Sequence, residues 1–110
     1  MAIQISAELL DGIVLAVVQQ ADTYGYALTQ QIQETIDVSP STLYPVLRRL
    51  KAQGALSTYD KPFGGRNRRY YQLTPLGEQI LRDTEKNWQT HKTQIDYFLS
   101  KPQPKEGDAQ

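Results

Sequence analysis

Residues Ser39–Leu73 read SPSTLYPVLRRLKAQGALSTYDKPFGGRNRRYYQL, and this stretch decides how the rest of the chain is understood. Ser39 is a good helix cap, with Pro40 at the position where proline costs least. Leu43, Val46, Leu47 and Leu50 repeat at helical spacing and mark a buried face. Pro45 lies near the first turn, where it predicts a slight bend rather than a break. Gly54 stands where a helix C-cap belongs. Leu56–Asp60 and Arg68–Leu73 are short and rich in aromatic, β-branched and hydroxyl residues. The loop between them contains Gly64-Gly65, a β-hairpin signal. On the second strand, Tyr71 and Leu73 share the core side while Tyr70 and Gln72 face away. Lys61, Arg66 and Asn67 are expected in the loop itself.

Seven of the chain's 12 basic residues fall between Arg48 and Arg69: Arg48, Arg49, Lys51, Lys61, Arg66, Arg68 and Arg69. Asp60 is the one acid among them, so the segment carries a formal charge of about +6 inside a chain of net charge zero. Positive charge gathered in one place implies a polyanion-facing surface.

Working outward, 110 residues are most simply one domain, and 39% hydrophobic residues suffice for a small core. There is no cysteine and a single histidine, His91, so disulfides, thiolate sites and ordinary zinc sites are excluded. No metal or cofactor is expected. No apolar run reaches the roughly 18 residues of a membrane span, and the N-terminus lacks an export signal. A cytoplasmic protein with no membrane contact is expected.

Upstream, Ser6 caps a first helix whose run Leu9–Val18 is apolar on more than one face. Such a helix is buried on two sides, and a second subunit is the natural source of the second. Gly12 and Ala16 share a stripe on it, which permits close helix approach or leaves a pocket. Asp22 or Thr23 caps a second helix through Ile36, with Leu28, Ile32 and Ile36 as its apolar stripe. Downstream, Thr74-Pro75 opens a fourth helix running to about Ser100, about 40 Å long. Leu81, Thr84, Trp88, His91, Ile95 and Phe98 recur at heptad spacing along it. A helix that overshoots its own domain must bury its seam on a partner.

Three helices followed by a hairpin describe a mostly helical α+β fold, the winged helix-turn-helix, with one long C-terminal helix. The expected organisation is a DNA-binding domain over residues 1–73, a dimerisation helix over 74–100 and a disordered tail over 101–110. The third helix of such a fold enters the major groove and the wing lies along the backbone or minor groove. Ser39, Ser41, Thr42 and Tyr44 offer short polar groups at the helix start, where a phosphate is also favoured. Arg48 and Arg49 lie one turn on, and the wing adds Arg66, Arg68 and Arg69. Taken singly, surface cations are most often a solvated face, and a glycine hairpin occurs in many folds. The order of the pieces carries the specificity.

That order resembles the PadR family of bacterial transcriptional regulators. The matching motifs are Tyr24-Gly25-Tyr26, the run Ser41–Leu50, Gly54, Gly64-Gly65-Arg66, Arg69-Tyr70-Tyr71 and Leu73-Thr74-Pro75-Leu76-Gly77. Ser41 replaces a glycine common at that place, and serine serves a helix start equally well. The resemblance implies a homodimer, usually a repressor, that binds a double-stranded DNA operator and is relieved by a small hydrophobic or aromatic effector. The DNA-facing set is then Tyr24, Ser39, Ser41, Thr42, Tyr44, Arg48, Arg49, Lys51, Lys61, Gly64, Gly65, Arg66, Asn67, Arg68 and Arg69. The dimer set is Leu9, Gly12, Ile13, Ala16, Leu81, Thr84, Trp88, His91, Ile95, Phe98 and Leu99. The single C-terminal helix is similar to the short subgroup of the family, where a tryptophan matching Trp88 in a multidrug-binding member stacks flat aromatic ligands between subunits. By that likeness Gly12, Ala16, Trp88 and Lys92 line an effector pocket. Alternatively, Trp88 is simply a dimer anchor. His91 either tunes dimerisation or is a tolerated polar residue. A winged-helix module that recruits proteins rather than DNA is a second reading, which the concentrated wing charge opposes. An enzyme has little support, since no nucleophile, phosphate loop or paired histidine stands out.

Overall fold

A computed structural model describes residues 3–100. In order it contains α1 (Ala7–Gln20), β1 (Thr23–Tyr24), α2 (Gly25–Gln33), α3 (Pro40–Ala52), β2 (Leu56–Phe63), β3 (Arg66–Leu73) and α4 (Pro75–Leu99). This is the expected winged helix-turn-helix with a long C-terminal helix. The tail expected beyond residue 100 lies outside the described residues.

Three of the expected caps form, each where a backbone donor is otherwise orphaned. The Ser6, Ser39 and Thr74 hydroxyls accept from the backbone N–H groups of Leu9, Thr42 and Gly77 at 3.2, 3.2 and 3.0 Å. Helix α3 runs unbroken through Pro45. It ends in a Schellman turn: Gly54 takes a φ of 83°, and the Ala55 N–H donates to the Leu50 carbonyl at 2.9 Å. The Thr74 hydroxyl also donates to the Gly54 carbonyl at 2.6 Å, so the start of α4 is tied to the end of α3.

The core is formed by Val14, Leu15 and Val18 of α1, Leu28 and Ile32 of α2, the four predicted α3 residues, Ala55, Leu56 and Leu81. Tyr71 and Leu73 close it from the sheet, as their alternation predicts.

Three local readings change. Thr23 and Tyr24 do not open α2; they form β1 and pair antiparallel with Tyr71 and Tyr70 of β3, giving a sheet of order β1-β3-β2. Both residue types favour extended backbone, and β3 offered a free edge. Asp22, expected as a possible cap, instead accepts a hydrogen bond from the Tyr59 hydroxyl at 2.7 Å. Helix α2 stops at Gln33, whose side-chain amide donates to the Val38 carbonyl at 2.9 Å, while Ile36 still packs on the core from the turn. The hairpin is longer than predicted. Its strands reach a two-residue Gly64-Gly65 turn with φ of 57° and 81°, so Lys61, Arg66 and Asn67 are strand residues.

Candidate nucleic-acid interface

The N-terminal end of α3 presents an exposed hydroxyl cluster. Ser39 Oγ lies 2.9 Å from Ser41 Oγ and 3.0 Å from Thr42 Oγ1, all at the positive end of the helix. Tyr44 sits beside them with its ring laid over Gly25. A Cβ built on Gly25 would stand 2.7 Å from Tyr44 Cε1, so only glycine permits this approach.

The seven cations of the basic segment separate by what they already touch. Arg49 makes a two-pronged contact with Asp11 of α1 at 2.7 and 2.9 Å, which raises its pKa mainly through that hydrogen bond. Arg69 faces Asp60 across the hairpin at 3.9 Å. Lys61 lies over the Tyr70 ring at 5.0 Å. Arg68 lies between two rings, 3.9 Å from the centre of Tyr24 and 3.4 Å from that of Phe63. Arg48, Lys51 and Arg66 are exposed and touch no acid or ring among the described residues.

Strand register explains the wing's two faces. Tyr59 opposes Tyr70, Lys61 opposes Arg68 and Phe63 opposes Arg66, all on the side away from the core. Tyr59 and Tyr70 stack with centroids 5.6 Å apart, and Tyr24 meets Tyr70 edge-on at 5.5 Å. Asp60, Asn67 and Arg69 fall on the other face. The wing turn follows at once, with Arg66 first after the glycines.

A separate concavity opens between α1 and α4. It has a volume of about 370 Å³ and is walled by Leu9, Ile13, Ala16, Thr84 and Trp88, with Glu85 as its charged residue. Gly12 meets both of its predicted uses: it lines this cavity, and a Cβ there would stand 2.6 Å from Thr84 Cγ2, so it also permits the close approach of α4. Lys92 does not line this cavity and pairs with Asp96 at 2.8 Å, which lowers the Asp96 pKa. The heptad seam divides. Leu81 and Thr84 are buried against the chain's own α1, whereas Trp88, His91, Ile95, Phe98 and Leu99 are exposed.

The sequence model described as the transcriptional regulator PadR-like family matches residues 14–83, from the middle of α1 into α4. The chain belongs to the PadR-like family of transcriptional regulators. A PadR-like chain is thus a regulator of transcription and not an enzyme. Among solved structures it is similar to smu.1704 from Streptococcus mutans UA159, with a TM-score of 0.82 and 40% identity over 91% of this chain and 94% of that one. It is also similar to a PadR family transcription regulator from Clostridium difficile R20291, with a TM-score of 0.75 and 26% identity over 82% and 97% of the two chains. Transcriptional regulator Rv3488 of Mycobacterium tuberculosis is 41% identical over 63 residues, 56% of this chain and 59% of its own length.

Sequence pattern marks Asp22 only as a possible helix cap and passes over Tyr59 and Phe63, yet all three hold the wing. A signal was present for the two aromatic residues: Tyr59, Lys61 and Phe63 alternate and therefore share a strand face. Asp22 carried none for this contact, because its partner lies 37 residues away. Among the described residues no helix is long and apolar enough to cross a membrane, and no acid or histidine cluster could hold a metal.

Proposed function

We propose that this PadR-like regulator is a cytoplasmic, sequence-specific repressor that binds a double-stranded operator as a homodimer and is released by a small hydrophobic or aromatic effector. One observation carries the DNA-binding part. The basic-segment cations that touch no acid or ring among the described residues, Arg48 and Lys51 on α3 and Arg66 beside the wing turn, sit on the two elements that a winged helix lays on DNA. The hydroxyls of Ser39, Ser41 and Thr42 supply phosphate or base-edge contacts between them.

The open seam of α4 supports the dimer. From Glu85 to Leu99 no residue of that helix is buried, yet Trp88, Ile95, Phe98 and Leu99 are large and apolar. A second copy is the occupant of matching chemistry. The cavity beside Trp88 supports the effector, because closing it with a second subunit leaves an apolar slot at the dimer centre.

Binding to operator-containing duplex at several salt concentrations tests the proposal. Each phosphate contact adds about 0.9 to the slope of log affinity against log salt. The triple variant Arg48→Ala, Lys51→Ala, Arg66→Ala should lose two to three such units, about 0.9 each. An unaltered slope would show that these cations do not face DNA.

A further inference from the structure

Arg68 differs from the other wing cations in how it is held. Its guanidinium lies between the Tyr24 ring of β1 at 3.9 Å and the Phe63 ring of β2 at 3.4 Å, so it bridges both outer strands across β3. Two rings on a planar cation fix its orientation as well as its position. Phe63 is 59% exposed, which is a poor place for a large apolar ring unless it has a local task. Tyr24 is joined to Gly25, and Gly25 lies against the Tyr44 ring of α3. The Tyr24-Gly25 step therefore touches the wing on one side and the recognition helix on the other.

We propose that Arg68 is a positioning residue rather than a phosphate ligand. It clamps the wing to the Tyr24-Gly25 step and thereby sets the separation between Arg66 at the wing turn and the hydroxyl end of α3. The clamp gives a PadR-like wing a fixed angle to its recognition helix, and only duplexes whose groove geometry matches that angle meet both elements together. Lys61 over Tyr70 and the Tyr59 hydroxyl on Asp22 stiffen the same face. The inference rests on the DNA-binding reading above, which supplies the ligand but not the division of labour among the cations.

The experiment compares duplex binding across salt concentrations for the full chain and its variants. The probes are a duplex selected by the wild-type protein from a random pool and an unselected random duplex. Arg68→Lys keeps the charge but cannot fill a flat slot between two rings. It should weaken the selected duplex about three- to tenfold, leave the random duplex nearly unaffected, and leave the salt slope unchanged. Phe63→Leu, at an exposed position that does not threaten folding, should do the same. Phe63→Tyr should restore most of the loss. Combining Arg68→Lys with Phe63→Leu should cost no more than either alone. Arg66→Gln is the contrast: its slope should fall by about one on both duplexes.

If Arg68→Lys binds like wild type while Arg68→Gln lowers the slope by about one, Arg68 is a phosphate ligand and the clamp is refuted. Equal loss on both duplexes, or no loss in Phe63→Leu, refutes it as well. A wild-type chain with no salt-dependent duplex binding overturns the DNA-binding reading itself, an outcome distinct from these.

Discussion

Arg49 of α3 grips Asp11 of α1 with both prongs of its guanidinium, Nη2 to Oδ1 at 2.7 Å and Nη1 to Oδ2 at 2.9 Å. The Asp11 side chain is only 18% exposed, so the contact is partly sheltered from solvent. It fastens α3 to the helix whose next residue, Gly12, abuts α4. Arg49 thus stands apart from its neighbour Arg48, which keeps its charge for the surface. Asp11→Asn should remove about 1 kcal/mol or less of stability, the range of an exposed bidentate pair, in urea denaturation. The loss should shrink when the comparison is made in 1 M salt. A pair that contributes nothing at low salt would mean that α3 is held by its apolar face alone.

Gly12 and Thr84 define the crossing of α1 and α4. Gly12→Ala places a methyl 2.6 Å from Thr84 Cγ2, a branched and buried side chain with little room to yield. The gain in helix propensity offsets part of the clash, and the net loss should be about 1–2 kcal/mol. Thr84→Ser removes the offending methyl. The double variant should therefore melt above Gly12→Ala alone. Failure of that rescue would place the strain elsewhere.

Gly77 packs against the Ala55 carbonyl, where backbone cannot step aside. Gly77→Ala should cost more than Gly12→Ala, about 3 kcal/mol, because α4 must shift away from the turn after α3. Thermal denaturation ranks the two. A smaller effect at Gly77 would show that the joint between the domain and its long helix is compliant.

The Tyr59 hydroxyl donates to Asp22, and that bond raises the Tyr59 pKa above its ordinary value near 10. A raised folded value means that the bond's contribution is complete below the unfolded pKa and disappears as pH climbs through the folded one. The anchor should hold across neutral pH and release only in alkali. Ultraviolet titration of tyrosinate, wild type minus Tyr59→Phe, should isolate one phenol ionising above the ordinary value near 10. A Tyr59 that titrates at the ordinary value would mean that the wing is not moored to Asp22.

Ile95 and Phe98 are 43% and 65% exposed on the outer half of α4. Replacing both with glutamate should leave the helical circular dichroism of the domain intact while shifting the sedimentation coefficient to that of a single chain. Operator affinity should drop by at least about 100-fold, as expected when two linked half-sites become independent. An assembly unaffected by both charges would place the subunit contact on another surface.

Much of this protein is fixed by short-range pattern. The caps at Ser6, Ser39 and Thr74, the stop at Gly54, the α3 core face and the glycine turn each depend on residues three or four apart, or on one backbone angle. Neighbours in sequence are enough to specify them, and the family motifs are made of these same pieces. What tertiary structure alone decided are the pairings between distant segments. Thr23-Tyr24 became a strand because β3 had an unfilled edge, and Asp22 turned to Tyr59 for the same reason of proximity. The basic run looked uniform in sequence, since seven cations have the same charge wherever they lie. Folding divided it by bringing Asp11 to Arg49 and two rings to Arg68, while Arg48, Lys51 and Arg66 meet no acid or ring among the described residues. Charge is a property of composition, but the freedom to use it depends on which partner the fold brings near.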